Sequence, residues 1–140
     1  MGTSTCVFCS IVAGATDAHV VLDEPHAVAF LDAVPLFPGH VLAVPREHHE
    51  TLPDLPASLL EPFFATVQRL NRAVQEATGS QGVFNGVNNV VSQSVPHLHV
   101  HVVPRTRGDG LRGFFWPRQR YASEDEAATV AARIRAALGR

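Results

Sequence analysis

The chain contains no lysine; all eleven of its basic residues are arginines, and five of them fall between Arg105 and Arg120. Arginine grips a phosphate through two bonds at once and lysine does not, so that stretch is a candidate anion-binding segment. No apolar run approaches ~18 residues, which excludes a membrane-spanning helix from expectation. Met1-Gly2-Thr3-Ser4-Thr5-Cys6 lacks a basic n-region and a long apolar stretch, so no signal peptide is expected, and position 6 lacks the Ser or Thr of a myristoylation pattern. The expected compartment is the cytoplasm, where Cys6-x-x-Cys9 stays reduced or binds metal. Charge of either sign is scarce: a formal net charge of −2 gives no reason to expect nucleic acid or acidic membrane as a partner. Hydrophobic residues make up 46% of the 140 and charged residues 17%, the balance of one globular domain rather than a disordered chain. Repeats and low-complexity tracts are lacking too. Residues 1–140 read as a single domain, with 105–140 as a C-terminal extension and helix.

The local patterns predict an α+β fold. His19 to Leu22 and Ala27 to Asp32 read as short strands joined by the turn Glu24-Pro25-His26, and His40 to Pro45 as a third, entered through Pro38-Gly39. Ser58 with Glu61 reads as a capping box opening a helix. Phe63, Val67, Leu70, Val74 and Ala77 mark its apolar stripe, Pro62 falls near its first turn, and Gly79 stops it. Val83 to Val87 and Pro96 to Val103 complete five strands. Ser123 to Glu126 is a second capping box, opening a helix to about Leu138. The expectation is a five-stranded antiparallel sheet with a long central helix and a C-terminal helix.

Side chains alternate across a strand, so His97, His99 and His101 share one face and Leu98, Val100 and Val102 the other. Three imidazoles in a row are poor core material. Two chemistries suit them: a metal site, or a nucleophilic histidine with neighbours that act as acid and orienter. Ser92-Gln93-Ser94 upstream and Arg105 and Arg107 downstream add phosphate-binding groups at both ends of the strand. No carboxylate occurs between Glu76 and Asp109, where a hydrolytic metal site would usually want one.

The pattern resembles the histidine triad (HIT) superfamily, whose signature His-φ-His-φ-His-φ-φ, with φ apolar, reads here as His97-Leu-His-Val-His-Val-Val103. Cys6-Val-Phe-Cys9-Ser-Ile11, Ala29-Phe30-Leu31-Asp32, Pro38-Gly39-His40-Val41-Leu42 and Gln93-Ser94-Val95 match further family features. The resemblance runs from Cys6 to Arg105 and more loosely to the C-terminus. It implies a HIT-like fold and a catalytic set of His97, His99, His101 and His40. His99 would be the nucleophile attacking the α-phosphorus of a nucleoside phosphate derivative, to form a nucleotidyl-histidine that water hydrolyses. His101 and Ser94 would hold the phosphate oxygens, with His101 also a donor to the leaving group and His40 orienting the triad. Asp32 matches the residue that bonds the ribose hydroxyls. Val7, Phe8, Ile11, Phe30 and Leu42 match the apolar walls around the base, positions that ordinary core packing would fill equally well. Asn89, or its neighbour Asn88, matches an asparagine near the phosphate, and Gln93 precedes the phosphate serine. The stretch Asn89 to Gln93 is shorter than usual for the family, and Ser92 stands where a glycine is usual.

Cys6-x-x-Cys9 alone is half a zinc site. By the resemblance, His48 and His97 complete a structural Cys₂His₂ zinc. His49 reads as a solvated residue. Gly113-Phe114-Phe115-Trp116-Pro117 resembles a tail that shapes the pocket in some family branches, and reads equally as packing at a dimer interface. The resemblance further implies a homodimer and, as ligand, a purine nucleotide or nucleoside phosphoramidate. The leading expectation is therefore a nucleotidyl hydrolase or phosphoramidase. Two others stand beside it: a hydrolase with catalytic zinc on the three histidines, and a zinc-stabilised nucleotide-binding sensor or scaffold with little turnover.

Overall fold

In the computed structural model, which describes residues 5–111 and 119–139, the strands are apolar on both faces because both faces are covered. β1 (Val20–Asp23), β2 (Ala27–Leu31), β3 (Val41–Pro45), β4 (Gly82–Gly86) and β5 (Val100–Arg105) form one sheet in the order β1-β2-β3-β5-β4. Every neighbouring pair is antiparallel. Alternation sends Ala27, Ala29, Val41, Ala43, Val100 and Val102 to one side, where they meet Phe63, Val67, Leu70 and Val74 of the helix α2 (Ala57–Thr78). The alanines on that side let the helix approach closely. Val28, Phe30, Leu42 and Val44 go to the other side, against Cys6 and Phe8 of the short helix α1 (Val7–Val12) and its cap. Five antiparallel strands and a long central helix agree with the sequence expectation.

Three local readings need correction. α2 begins after Pro56 without a side-chain cap, so Ser58 and Glu61 lie inside the helix and form no capping box; Pro56, with its fixed φ of −58°, starts the helix instead. Pro62 lies inside α2, where it costs one bond, to the Ser58 carbonyl. The final strand is Val100–Arg105 rather than Pro96 to Val103. Its ladder to β3 starts at the Val100–Ala43 pair, while His97 N–H turns back to Val95 O (2.8 Å) and Leu98 N–H reaches His49 O (2.7 Å). His97 and His99 thus sit on an extended lead-in. The alternation persists through it: Leu98 is fully buried with the α2-facing set, opposite the histidines.

α1 was not foreseen. At six residues it is too short for helical periodicity to register, and its N-cap is Cys6, whose Sγ accepts from Cys9 N–H (3.4 Å). A 3-10 turn at Leu52–Asp54 follows Thr51, whose N–H and hydroxyl both donate to the Asp54 carboxylate.

By backbone contacts the chain divides into two compact units, Met1–Asp109 and Gly110–Arg140. The second contains α3 (Glu124–Leu138), capped by Ser123, whose hydroxyl accepts from Glu126 N–H (3.1 Å). The Glu126 carboxylate reaches back to Ala122 N–H (3.0 Å), one residue before the expected position. Phe114, Phe115, Trp116 and Pro117 lie outside the described residues. No helix of the described residues is long and apolar enough to cross a membrane.

Gly39 shapes the entry to β3. Its φ is +99°, and an added Cβ would stand 2.6 Å from Thr78 Cγ2 at the end of α2. Gly39→Ala should therefore destabilise the fold by about 2 kcal/mol or more through backbone strain and the clash. The reading is a lower urea midpoint at unchanged m-value; an unchanged midpoint would show that the turn relaxes freely.

Candidate functional site

The hydrogen-bond partners of the buried histidines assign the proton on each ring. His97 Nε2 lies 2.9 Å from Pro45 O. A carbonyl only accepts, so Nε2 carries the proton and Nδ1 keeps its lone pair. That Nδ1 faces Cys6 Sγ and Cys9 Sγ, both at 3.4 Å, and Cys9 Sγ is 3.2 Å from His48 Nδ1. His99 Nδ1 donates to His97 O (2.8 Å), which leaves the lone pair on Nε2. Leu36 N–H donates to His40 Nδ1 (3.1 Å), so His40 protonates on Nε2 and donates to His101 Nδ1 (3.0 Å). His101 then presents Nε2–H. A main-chain amide outside the site thus sets a donor inside it, two rings away.

Burial disfavours the charged form of His97, His101 and His40. It pushes His101 down to about 4, helped by the charges that His99 and His40 would carry, with Asp32 opposing. His97 falls to about 4, again chiefly by burial, against the bond to the Pro45 carbonyl. His40 is lowered by burial, with Asp32 opposing. Asp32 Oδ2 lies 3.6 Å from His40 Nε2, and its Oδ1 accepts from Val34 N–H (2.9 Å).

A cavity of about 710 Å³ opens beside His99 and His101. Val7, Phe8, Ile11, Phe30 and Leu42, all expected around a base, line it, as do Asp32 and Ser94. Phe8 packs edge-on against Phe30 (ring centroids 5.3 Å apart) and His99 (5.1 Å), linking the apolar wall to the histidines. The sequence reading missed Asp17, Ala18 and His19, from the α1–β1 connector, and Leu31, Ala33, Pro35 and Val95. The last four neighbour quoted motifs; Asp17, Ala18 and His19 stand in no motif spacing that would have flagged them.

Other expected residues are elsewhere. Asn89 and Gln93 are not among the cavity-lining residues: Asn89 Oδ1 accepts from Leu52 N–H (2.9 Å), and Gln93 Nε2 donates to Glu50 O (2.6 Å). Asn88 is likewise not among them. Arg105, at the far end of β5, gives its guanidinium to the Asp109 carboxylate (2.6 and 3.1 Å). Arg107 donates its backbone N–H to Gln81. The expectation that Arg105 binds phosphate is corrected accordingly. His49 is not solvated, since its Nε2 is buried 3.8 Å from the Glu47 carboxylate without a hydrogen bond.

Cys6, Cys9, His48 and His97 place four ligand atoms within 4.8 Å of one another. Sulfur-to-nitrogen separations of 3.2–3.4 Å are close to the edges of a tetrahedron with Zn–S of about 2.3 Å and Zn–N of about 2.0 Å. Burial, then Cys6, push the Cys9 thiol up to about 11. A divalent cation between the sulfurs reverses that preference, so the donor set suits zinc. The three triad histidines do not converge on one ion, because His97 Nδ1 points to the thiols while His99 Nδ1 is bonded to a carbonyl. A second clustering among the described residues, Asp32, His40 and His101, is already satisfied by the bond between its two rings.

A family model described as the HIT domain matches residues 13–108. An uncharacterised HIT-like protein of Methanocaldococcus jannaschii is 39% identical over 108 residues, covering 75% of this chain and 82% of its own length. An adenylylsulfatase of Arabidopsis thaliana is 33% identical over 108 residues, 76% of this chain but 55% of that protein. The structure of a Zn-bound histidine triad family protein from Mycobacterium smegmatis superposes with a TM-score of 0.73 at 31% identity, covering 97% of this chain and 99% of that one.

The neutral rings make stability depend on acid. His97 and His101 titrate near 4 in the fold, against roughly 6.5 when unfolded, so between those values the unfolded chain binds more protons. Their contribution is fully present above about pH 6.5 and is lost as pH falls toward about 4. The urea midpoint should drop between about pH 7 and pH 4.5, and less steeply in His101→Asn; equal slopes for the two proteins would remove His101 from the account.

Proposed function

Since this chain belongs to the HIT domain family, we propose that it is a nucleotidyl hydrolase or phosphoramidase acting at the α-phosphate of nucleoside phosphate derivatives. The observation that carries this reading is the pair of tautomers lining one cavity: His99 with its lone pair on Nε2, and His101 with its proton on Nε2. A nucleophile and a donor stand with ring centroids 5.0 Å apart.

In this scheme His99 Nε2 attacks the α-phosphorus as the bond to the leaving group breaks, giving a nucleotidyl-histidine. His101 Nε2–H donates a hydrogen bond to the leaving-group atom, which takes its proton from solvent. The Nδ1–H of His99 stays on His97 O, which steadies the positive charge the ring gains. Water then attacks phosphorus, gives up a proton to solvent and releases His99 as the N–P bond breaks. Ser94 supplies a hydroxyl at the phosphate end. Phe8, Phe30 and Leu42 wall the base, and Asp32 accepts from the ribose hydroxyls with the lone pairs that Val34 N–H leaves unused. The same reading takes the ligand as a purine nucleotide or nucleoside phosphoramidate and the protein as a cytoplasmic homodimer.

We assign Cys6, Cys9, His48 and His97 to a structural zinc ion, which when bound ties the N-terminus to the lead-in of β5. His97 would then be fixed by metal on one ring nitrogen and by Pro45 on the other.

Two experiments test these assignments. Incubation with a panel of adenylates followed by mass spectrometry should yield a nucleotidylated peptide carrying His99, and His99→Ala should lose about 10³-fold or more in kcat/KM. An adduct on another residue, or undiminished turnover in His99→Ala, overturns the mechanism. For the metal, the protein should hold one zinc per chain, and Cys9→Ser should lose it together with several degrees of Tm. A metal-free protein of equal Tm would leave the four residues without that role.

A further inference from the structure

The loop from β4 to β5 takes left-handed backbone twice before it reaches Ser94: φ is 71° at Val90 and 63° at Ser92. An L side chain adopts such values at a cost, greatest for a β-branched residue. Ser92 holds that conformation although only glycine bears it freely. Strained backbone of this kind persists only where its surroundings over-determine it.

Those surroundings are two side-chain amides and one stretch of main chain. Gln93 Oε1 accepts from Val90 N–H (2.9 Å), folding the loop onto itself, while its Nε2 donates to Glu50 O (2.6 Å). Asn89 Oδ1 accepts from Leu52 N–H (2.9 Å). Just past the loop, Leu98 N–H donates to His49 O (2.7 Å). Residues 49–52 therefore hold the loop and the lead-in of β5 at three points. This segment directly follows His48 of the thiol–imidazole cluster. Ser94 and Val95, which follow Gln93, line the cavity with His99 and His101, whereas Asn89 and Gln93 do not.

We propose that Gln93 and Asn89 are positioning residues that tether the strained 89–93 loop to residues 49–52 and so hold Ser94 at the phosphate end, rather than touching the nucleotide themselves. Both ends of the Gln93 amide are engaged within the protein, which turns the side chain to residues 49–52 rather than to the cavity. The tether stands on the geometry alone; only its effect on turnover rests on the nucleotidyl-hydrolase reading.

The test combines a substrate-free measurement with kinetics on an adenosine phosphoramidate. Val91 N–H and Gln93 N–H bond within the loop, to Asn89 O and Val90 O, and their hydrogen exchange should quicken about tenfold or more in Gln93→Ala and in Asn89→Ala. In Gln93→Ala, kcat should fall about tenfold or more with KM within about twofold of wild type. Adding Val90→Gly to Gln93→Ala should recover most of that kcat, because glycine holds the left-handed turn without strain. Relief of backbone strain cannot replace a lost ligand contact. Unchanged exchange in both variants overturns the tether. A rise in KM alone, without recovery by Val90→Gly, makes Gln93 a nucleotide ligand instead. Absence of turnover in the wild type would sink the nucleotidyl-hydrolase reading while the exchange measurement still decides the tether.

Discussion

His97 is held at three points, and the rest of the site takes its orientation from them. Its Nε2–H is on Pro45 O, its Nδ1 faces two thiols, and its backbone carbonyl receives Nδ1–H of His99. Each bond removes a freedom from a different neighbour. The first fixes which ring nitrogen of His97 is left for the cysteines, and the last fixes which nitrogen of His99 faces the cavity. Free imidazole exchanges its two tautomers readily; here the exchange would strand a carbonyl or a thiol without its partner in a buried place, where an unmet hydrogen bond costs about 1–3 kcal/mol. The lone pair of His99 is therefore directed by main chain, before any ligand arrives.

The sheet makes this possible by being covered on both sides. Leu98, Val100 and Val102 face α2 and anchor the histidine segment in the larger core. The alternate positions then face α1, where Phe8 contacts both His97 and His99. α1 in turn begins at Cys6, the residue that turns its sulfur toward His97. Histidine strand, thiol-bearing cap and apolar wall are thus one packing unit rather than three features that happen to be adjacent.

Much of this was legible in sequence because it depends on period. The alternation of His97, His99 and His101 with leucine and valines determines their common face whatever the ladder does, and it survives although the strand proper begins only at Val100. The stripe from Phe63 to Val74 and the left-handed stop at Gly79 were equally plain. What failed to show was set by particular partners, some of them distant in sequence. Ser58 and Glu61 carry the letters of a capping box, but Pro56 opens the helix two residues before Ser58. Arg105 looked like a phosphate ligand until Asp109 supplied its carboxylate. Gln93 and Asn89 carried the expected residue types, yet their amides meet Glu50 and Leu52, some forty residues earlier. Composition and spacing report what a side chain offers, and long-range pairing decides what it has left to give.

The cavity lining suggests why that remainder is mostly neutral. Among the described residues no arginine lines it, and the groups beside His99 are the Ser94 hydroxyl and the neutral His101. A guanidinium there would grip an α-phosphate as strongly before reaction as during it. Such uniform binding lowers KM without raising kcat. Neutral donors avoid that effect, and His40 and His101 stay uncharged because the core excludes water from them. The fold thus turns the free Nε2 of His99 to the cavity through directed tautomers rather than through a neighbouring charge.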